Sequence, residues 1–460
     1  MALTHEHRPP NVEPDSSAAM QLVRRVADNI HSGRLPAKIF NEPGVYDLEK
    51  QNLFSKVWNF LAHESEIPKA GDYVIRTIAD NSILVARDEN GEIHAHLNMC
   101  RHRGNQMCKS SLGNASHFRC SYHGWVYKNN GDLVAVPYHK QGYGDNLNKA
   151  DWGLVPVKIE SYQGLIFGCL DDQVESLSDY LGGFEFYLDY YLKAGIDGVE
   201  VFGPPDVWES NCDWKLWAEN SSGDGYHTPV THQFGFHLGY FASSGATHST
   251  GHAAHIAGKG HGIGLGETPG MPPFMGFPSD IVSELDESLT ESQRQAFSPV
   301  RTAVGLVFPN LNFLSQPFSR IPGENGVRFC TMRQAQPLRA GRMRMTSWCL
   351  VPKSASQEFK EESYRAYTLA FGPGGMFEQD DMENFNNITH QLQGSAIREL
   401  DLPYVMGIDQ QQVPDYPGPG HVVQPYMNDS NFRNLWSTWA SYVSGDRATE
   451  ATYDASEASK

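Results

Sequence analysis

Long hydrophobic runs are missing from this chain: no stretch approaches the roughly 20 apolar residues needed to cross a bilayer. An excess of basic charge is missing too. The 36 Lys and Arg residues are outnumbered by 54 Asp and Glu, and the formal net charge of −18 argues against a basic nucleic-acid-binding face or attachment to an anionic membrane. Cysteine is sparse. Seven residues, at positions 100, 108, 120, 169, 212, 330 and 349, are too scattered and too odd in number for a disulfide framework. They suit a reducing, cytoplasmic setting. Residues 1–7 have neither a basic n-region nor an apolar h-region, so no signal peptide is expected. There is no internal repeat.

What is present divides the chain. At 460 residues two domains are the default. Residues 1–16 look loose; 16–30 carry helical periodicity (Met20, Leu22, Val23, Val26, Ile30) stopped at Gly33, and 46–57 carry a second helical pattern. From about Gly71 the period becomes two, with short strands expected at 72–77, 82–86, 93–97, 125–127, 133–136, 154–159 and 165–169. The reading is an α+β protein. Residues 57–175 form a small all-β domain, 176–460 a larger domain with an antiparallel sheet flanked by helices, and 1–56 a segment packed on the larger domain. Strands are expected at 305–308, 327–330 and 343–348, and a helix at 354–369. Segment 242–298, rich in Gly, His and Pro, reads as an irregular loop near a pocket mouth. The tail from about Gly445 reads as frayed.

Two arms in the β-rich part carry metal-ligand chemistry. Cys100 and His102 form Cys-x-His; Cys120 and His123 form Cys-x-x-His. Two thiolates and two imidazoles are the ligand set of a Rieske [2Fe–2S] centre. Zinc accepts the same ligands, but its small modules usually nucleate a tiny fold of their own. Tyr122 and the amides near Gly104 and Gly124 are candidates for hydrogen bonds to cluster sulfurs. Cys108, off the spacing, reads as a small packed residue.

A second constellation follows a helix-like run: Asn220, Ser221, Asp224, His227 and His232. Two histidines five apart diverge by about 140° on an ideal helix, but Pro229 between them breaks that regularity. Asp224 would share a face with His227. A third stretch, from Phe371 through Phe377 to Asp380 and Asp381, supplies carboxylates. Two histidines and one carboxylate make the facial triad of a non-haem Fe(II) oxygenase, and chemistry alone leaves Asp380 and Asp381 both open. His248, His252, His255 and His261 would make a further metal site only if they converged.

These three motifs, in this order and over residues 40–440, resemble the large (α) subunit of Rieske non-haem iron aromatic ring-hydroxylating dioxygenases of the naphthalene/biphenyl/toluene type. The resemblance implies that Cys100, His102, Cys120 and His123 hold a [2Fe–2S] cluster, and that His227, His232 and Asp381 hold a mononuclear Fe(II). It implies that Asp224 bridges an iron ligand to a cluster histidine of a neighbouring subunit, and that Asn220, Ser221, Phe371 and Phe377 lie at the substrate pocket. The implied assembly is α3β3 with a small β subunit, or α3, supplied by a ferredoxin and an NAD(P)H-dependent reductase. The implied reaction adds both atoms of O2 to adjacent carbons of an aromatic ring, giving a cis-dihydrodiol. Ser221 stands where naphthalene-type members often carry a phenylalanine, and Ser222 where a small apolar residue is common; the smaller side chain widens the pocket or admits a polar substituent. The segment between Pro317 and Val327 looks longer than in that type. Competing expectations are an aromatic carboxylate substrate such as phthalate, served by Arg333 or Arg320, a Rieske monooxygenase, and a Rieske electron carrier without catalysis.

Overall fold

A run of alternating apolar residues needs a partner on each edge, and residues 251–352 supply one another. In the computed structural model, which describes residues 16–241, 250–268, 270–324 and 326–446, six strands from Gly251–His255 to Arg342–Pro352 follow one another as an antiparallel meander. His421–Val423 extends one edge of this sheet, and Val199–Val201 and Asp206–Ser210 both pair with Arg342–Pro352 at the other. The sheet therefore has nine strands.

Helices cover it. Gln357–Phe371 begins at Ser356, whose hydroxyl accepts from the Phe359 backbone N–H, the expected cap. Met376–Gln391 follows after a glycine turn. The amino-terminal helix Ser16–Asn29 buries Val23 and Val26 in the same core as Trp436 and Trp439 of Ser430–Ser444. The short strand Arg34–Pro36 pairs with Asp401–Pro403. The two ends of the described chain thus close on each other.

Residues 59–169 hold three smaller antiparallel sheets. One joins Asp72–Ile78, Asn81–Arg87, Ile93–Leu97 and Leu112–Asn114; the second joins His117–Arg119, Val126–Lys128 and Leu133–Ala135; the third joins Asn59–His63, Lys158–Tyr162 and Leu165–Cys169. Leu84, Phe118, Trp125, Tyr127 and Leu133 share a separate small core beneath the Cys100 and Cys120 arms. No helix among the described residues is long and apolar enough to cross a membrane.

Four expectations change. Residues 46–57 are not one α-helix: Pro43–Leu48 is α-helical and Glu49–Phe54 widens into a π-turn. Strand 154–159 starts only at Lys158, Pro156 making one isolated bridge to His96. Segment 242–298 is largely regular where it is described, with strands Gly251–His255 and Gly262–Glu267 and helices Ser279–Ser288 and Glu291–Phe297. Some of its glycines serve close backbone approach rather than a loop: a Cβ on Gly251 would lie 2.0 Å from the Leu265 carbonyl oxygen, and one on Gly264 3.0 Å from the Gly223 Cα. Strand Leu311–Phe318 runs through Pro317, so the long connection begins later than the sequence suggests. Residues 1–15 and 447–460, expected to be loose, lie outside the described residues.

Candidate metal centres and substrate cavity

The two arms of the β part repeat one local design. Cys100 N–H donates to the Asn105 carbonyl and Gly104 N–H back to Cys100; Cys120 N–H donates to Trp125 and Gly124 N–H back to Cys120. Each turn closes on a glycine with positive φ, 76° at Gly104 and 72° at Gly124, where a side chain would be strained. The Gly104 and Gly124 amides are engaged within their own turns, and it is amides next to them, those of His102 on Cys100 and of Tyr122 and His123 on Cys120, that act on sulfur. Tyr122 is exposed and lies 3.7 Å from the His123 ring, centroid to centroid.

The turns bring His102 Nδ1 within 3.0 Å of His123 Nδ1. Trp125 stacks on His102 at 4.9 Å. Cys100 and Cys120 are buried. Burial works to raise the Cys120 thiol, but the backbone N–H groups of Tyr122 and His123 and the Asn105 amide outweigh it and hold the thiol below its ordinary value. That environment favours anionic sulfur. A residue the sequence reading missed, Tyr127, brings its hydroxyl 3.5 Å from Cys100 Sγ. Cys108 is a packed neighbour in the small core.

The second centre is assembled from one loop and one helix. Helix Trp214–Ser221 starts at Asp213, whose side chain accepts from the Lys215 N–H. Lys215 is buried and lies 2.9 Å from both Glu49 and Asp213. After this helix Gly223 packs backbone to backbone on Gly264, and Gly225 faces the Tyr426 ring so closely that a Cβ would sit 2.0 Å from it. The loop between them is thereby pinned, and it carries Asp224. Asp224 Oδ1 accepts from the Tyr226 and His227 N–H groups at 2.8 and 3.3 Å, and Oδ2 lies 3.2 Å from His227 Nδ1. His227 and His232 flank the single turn Thr228–Thr231, which has Pro229 at its start. Their ring centroids are 5.3 Å apart.

Asp381 comes from Met376–Gln391. Its Oδ1 lies 3.2 Å from His232 Nε2 and 3.6 Å from His227 Nε2. Asp380 is more exposed and lies 3.7 Å from His232 Nδ1, on the other side of that ring. Among the described residues, the ligand atoms of His227, His232 and Asp381 fall within 4.8 Å of one another. The set attracts positive charge. Burial disfavours a charged His227, but Asp224 and Asp381 outweigh it and hold that ring up at about 9. A divalent cation competes for the same nitrogen as that proton, so these residues fit an Fe(II) ion. In the other centre the His102 and His123 rings pair at 3.0 Å and Cys100 and Cys120 lie in one buried cluster, an imidazole pair and a thiol pair that fit the ligand set of a Rieske cluster.

The cavity beside the triad is small, about 40 Å³. Phe241, Val304, Leu314, Phe371 and Phe377 form its apolar wall, with Asn220, Thr302, Gln316 and Arg333 as polar contributors. Phe371 and Phe377 belong both to this wall and to an aromatic core. Ser221 is a correction. It does not line the cavity; one residue past Asn220 it is rotated by about 100°, is buried, and its carbonyl accepts from Asn312 Nδ2. Arg333 lines the cavity but donates to Glu378 at 2.7 Å and to Asn312 at 3.0 and 3.2 Å, and stacks over Phe371. Arg320 pairs with Glu362 instead. Thr302, Gln316 and Glu378 escaped site assignment by sequence motif because separate strands and a helix bring them together with Arg333.

The remaining histidines do not converge. His252 pairs with Glu267 at 2.6 Å, His255 meets Asn431, and His261 bridges the Tyr180 carbonyl and Phe308 N–H. His248 lies outside the described residues.

Comparison with known proteins is consistent with both centres. Residues 57–162 match the Rieske [2Fe-2S] domain, and residues 196–425 match the ring hydroxylating alpha subunit (catalytic domain). An N,N-dimethyl phenylurea N-demethylase subunit alpha from Sphingobium sp. is 32% identical over 449 residues, covering 95% of this chain and 97% of its own. A biphenyl 2,3-dioxygenase subunit alpha from Rhodococcus jostii is 32% identical over 431 residues, covering 89% and 88%. A crystal structure of naphthalene 1,2-dioxygenase from Rhodococcus sp., bound to indole, superposes with a TM-score of 0.90 at 42% identity, covering 93% of this chain and 98% of that one.

Proposed function

The chain belongs to the ring-hydroxylating oxygenase α-subunit family, as a terminal oxygenase with a Rieske cluster and a mononuclear iron, and from that premise we propose that it dihydroxylates neutral polycyclic or biaryl aromatic compounds. The product is the cis-dihydrodiol, both oxygen atoms coming from O2. The observation that carries the neutral substrate is Arg333: its charge is paired with buried Glu378 and three of its five N–H groups go to Glu378 and Asn312, which disfavours an aromatic carboxylate as its partner.

The placement of the residues supports the following roles. Cys100, His102, Cys120 and His123 hold the cluster; His227, His232 and Asp381 hold the iron. An iron held there would supply the site for O2 activation, with electrons from the cluster. Asp224 accepts hydrogen bonds from its own loop while keeping Oδ2 on His227 Nδ1, which fixes the ring with Nε2 towards Asp381. Phe371 and Phe377 orient the ring and exclude water. Asp224 also serves as the electron route from a cluster histidine of a neighbouring copy, in an α3β3 or α3 assembly fed by a ferredoxin and an NAD(P)H-dependent reductase. Residues 57–175 form the cluster domain, and 176–460 with the 1–56 segment the iron domain.

A second reading, single-oxygen insertion with N-demethylation, is favoured by the phenylurea demethylase relative. One experiment separates the two. The reconstituted oxygenase is supplied with labelled O2 and naphthalene, phenanthrene, biphenyl, benzoate, phthalate or a dimethyl phenylurea. Doubly labelled cis-diols from the neutral hydrocarbons are expected. Turnover confined to phthalate or benzoate, or products with one label only, would overturn the proposal.

A further inference from the structure

The floor of the cavity is a sheet face with one polar edge. Val304 stands opposite Leu314 across two antiparallel strands. Two residues on, on the same face, Thr302 directs its hydroxyl to Gln316 Oε1 at 3.4 Å. Gln316 is 5% exposed, and it lines the cavity that also contains His227, His232 and Asp381. With its oxygen turned to Thr302, the amide presents its two N–H donors. Among the described residues Gln316 is bonded through its Oε1, and its nitrogen is left to the cavity.

A donor that opens onto so narrow a cavity gives up its water when a ring fills the space, and an acceptor brought to it then gains accordingly. Arg333, the other strong donor in the wall, is occupied by Glu378 and Asn312. On this sheet face Gln316 supplies the uncharged N–H donor for a neutral acceptor, while Phe371 and Phe377 hold the ring.

We propose that Gln316, oriented by Thr302, is a specificity-determining residue that selects aromatic substrates carrying a hydrogen-bond acceptor, a carbonyl above all, over hydrocarbons of the same shape. This rests on the oxygenase reading above and narrows its substrate class. It also accounts for a cavity that combines an aromatic wall with a polar edge.

The test uses the holoenzyme with ferredoxin and reductase and a shape-matched pair, indane and 1-indanone. The wild type prefers 1-indanone in kcat/KM. Gln316→Met, similar in length but without the amide, lowers the ratio of kcat/KM for 1-indanone over indane about tenfold, the scale of one hydrogen bond, and does so mainly through KM. Thr302→Val, which leaves the amide without its anchor, moves the ratio the same way by a smaller factor and stands in if Gln316→Met does not fold. Calorimetric binding of the two ligands to the holoenzyme shows the same contrast without turnover. An unchanged ratio, or equal losses on both ligands, overturns the proposal. If the wild type oxidises neither compound nor naphthalene, the oxygenase substrate reading fails, and the calorimetric contrast still decides for or against Gln316.

Discussion

Asp224 holds His227 by its Nδ1 edge, Oδ2 to nitrogen 3.2 Å, and leaves the Nε2 edge facing Asp381. Asp224→Asn keeps the shape of the side chain and removes the charge. Both iron centres should remain loaded, measured by iron and sulfide content and by the cluster spectrum, while product formation falls about 100-fold, the upper range for a group that orients a metal ligand. Near-normal turnover would remove Asp224 from the electron route.

His227→Ala separates the two centres. The variant should lose the mononuclear iron and all oxygenation while retaining the cluster's visible absorption, because the Cys100 and Cys120 arms sit over their own core. Loss of both metals together would show that the centres are not independently built.

Lys215 is expected to matter for stability rather than chemistry. Its ammonium lies between Glu49 and Asp213, all three buried. Lys215→Met leaves two carboxylates buried without a counter-charge, at a cost of about 3–5 kcal/mol, read from urea unfolding. Adding Glu49→Gln should recover part of that loss; no recovery would mean that packing of the lysine stem dominates.

Stability should also fall in mild acid. Burial lowers His63, His96 and His261 to about 4 and His255 to about 3. The native state therefore holds these rings neutral while the unfolded chain protonates them below about 6.5. Their contribution is complete above that value and is lost as pH falls towards the native values, at up to about 1.4 kcal/mol per pH unit for each ring. A flat unfolding free energy between pH 6.5 and 5 would contradict this.

Much of the chemistry was legible in the sequence because it is local. Each cysteine-histidine arm is one turn, and Asp224, His227 and His232 share one pinned loop. Asp381 was narrowed only by resemblance; in space the distinction from Asp380 is one of helix face. What local pattern could not show was pairing across the sheet. Gln316 meets Thr302, and Arg333 meets Glu378, only because strands and a helix far apart in sequence stack in one place. Glycines misled in a specific way: Gly264 looks like a loop residue in sequence, yet it lies in a strand and lets the Gly223 backbone pack against it. Ser221 misled by rotation, since adjacent helical residues face different neighbours.

The clasp between the chain's beginning and end sets an order of biosynthesis. Phe40 packs on Trp436 at 5.5 Å, Glu49 accepts from Trp439, and Arg34–Pro36 pairs with Asp401–Pro403. The first helix thus leaves the ribosome long before its partners exist. The strands that carry the cluster arms find all their hydrogen-bonding partners within residues 59–169. During synthesis, therefore, the electron inlet can mature while the oxygen-activating centre is still waiting for Asp381 and for the closing carboxy-terminal helix.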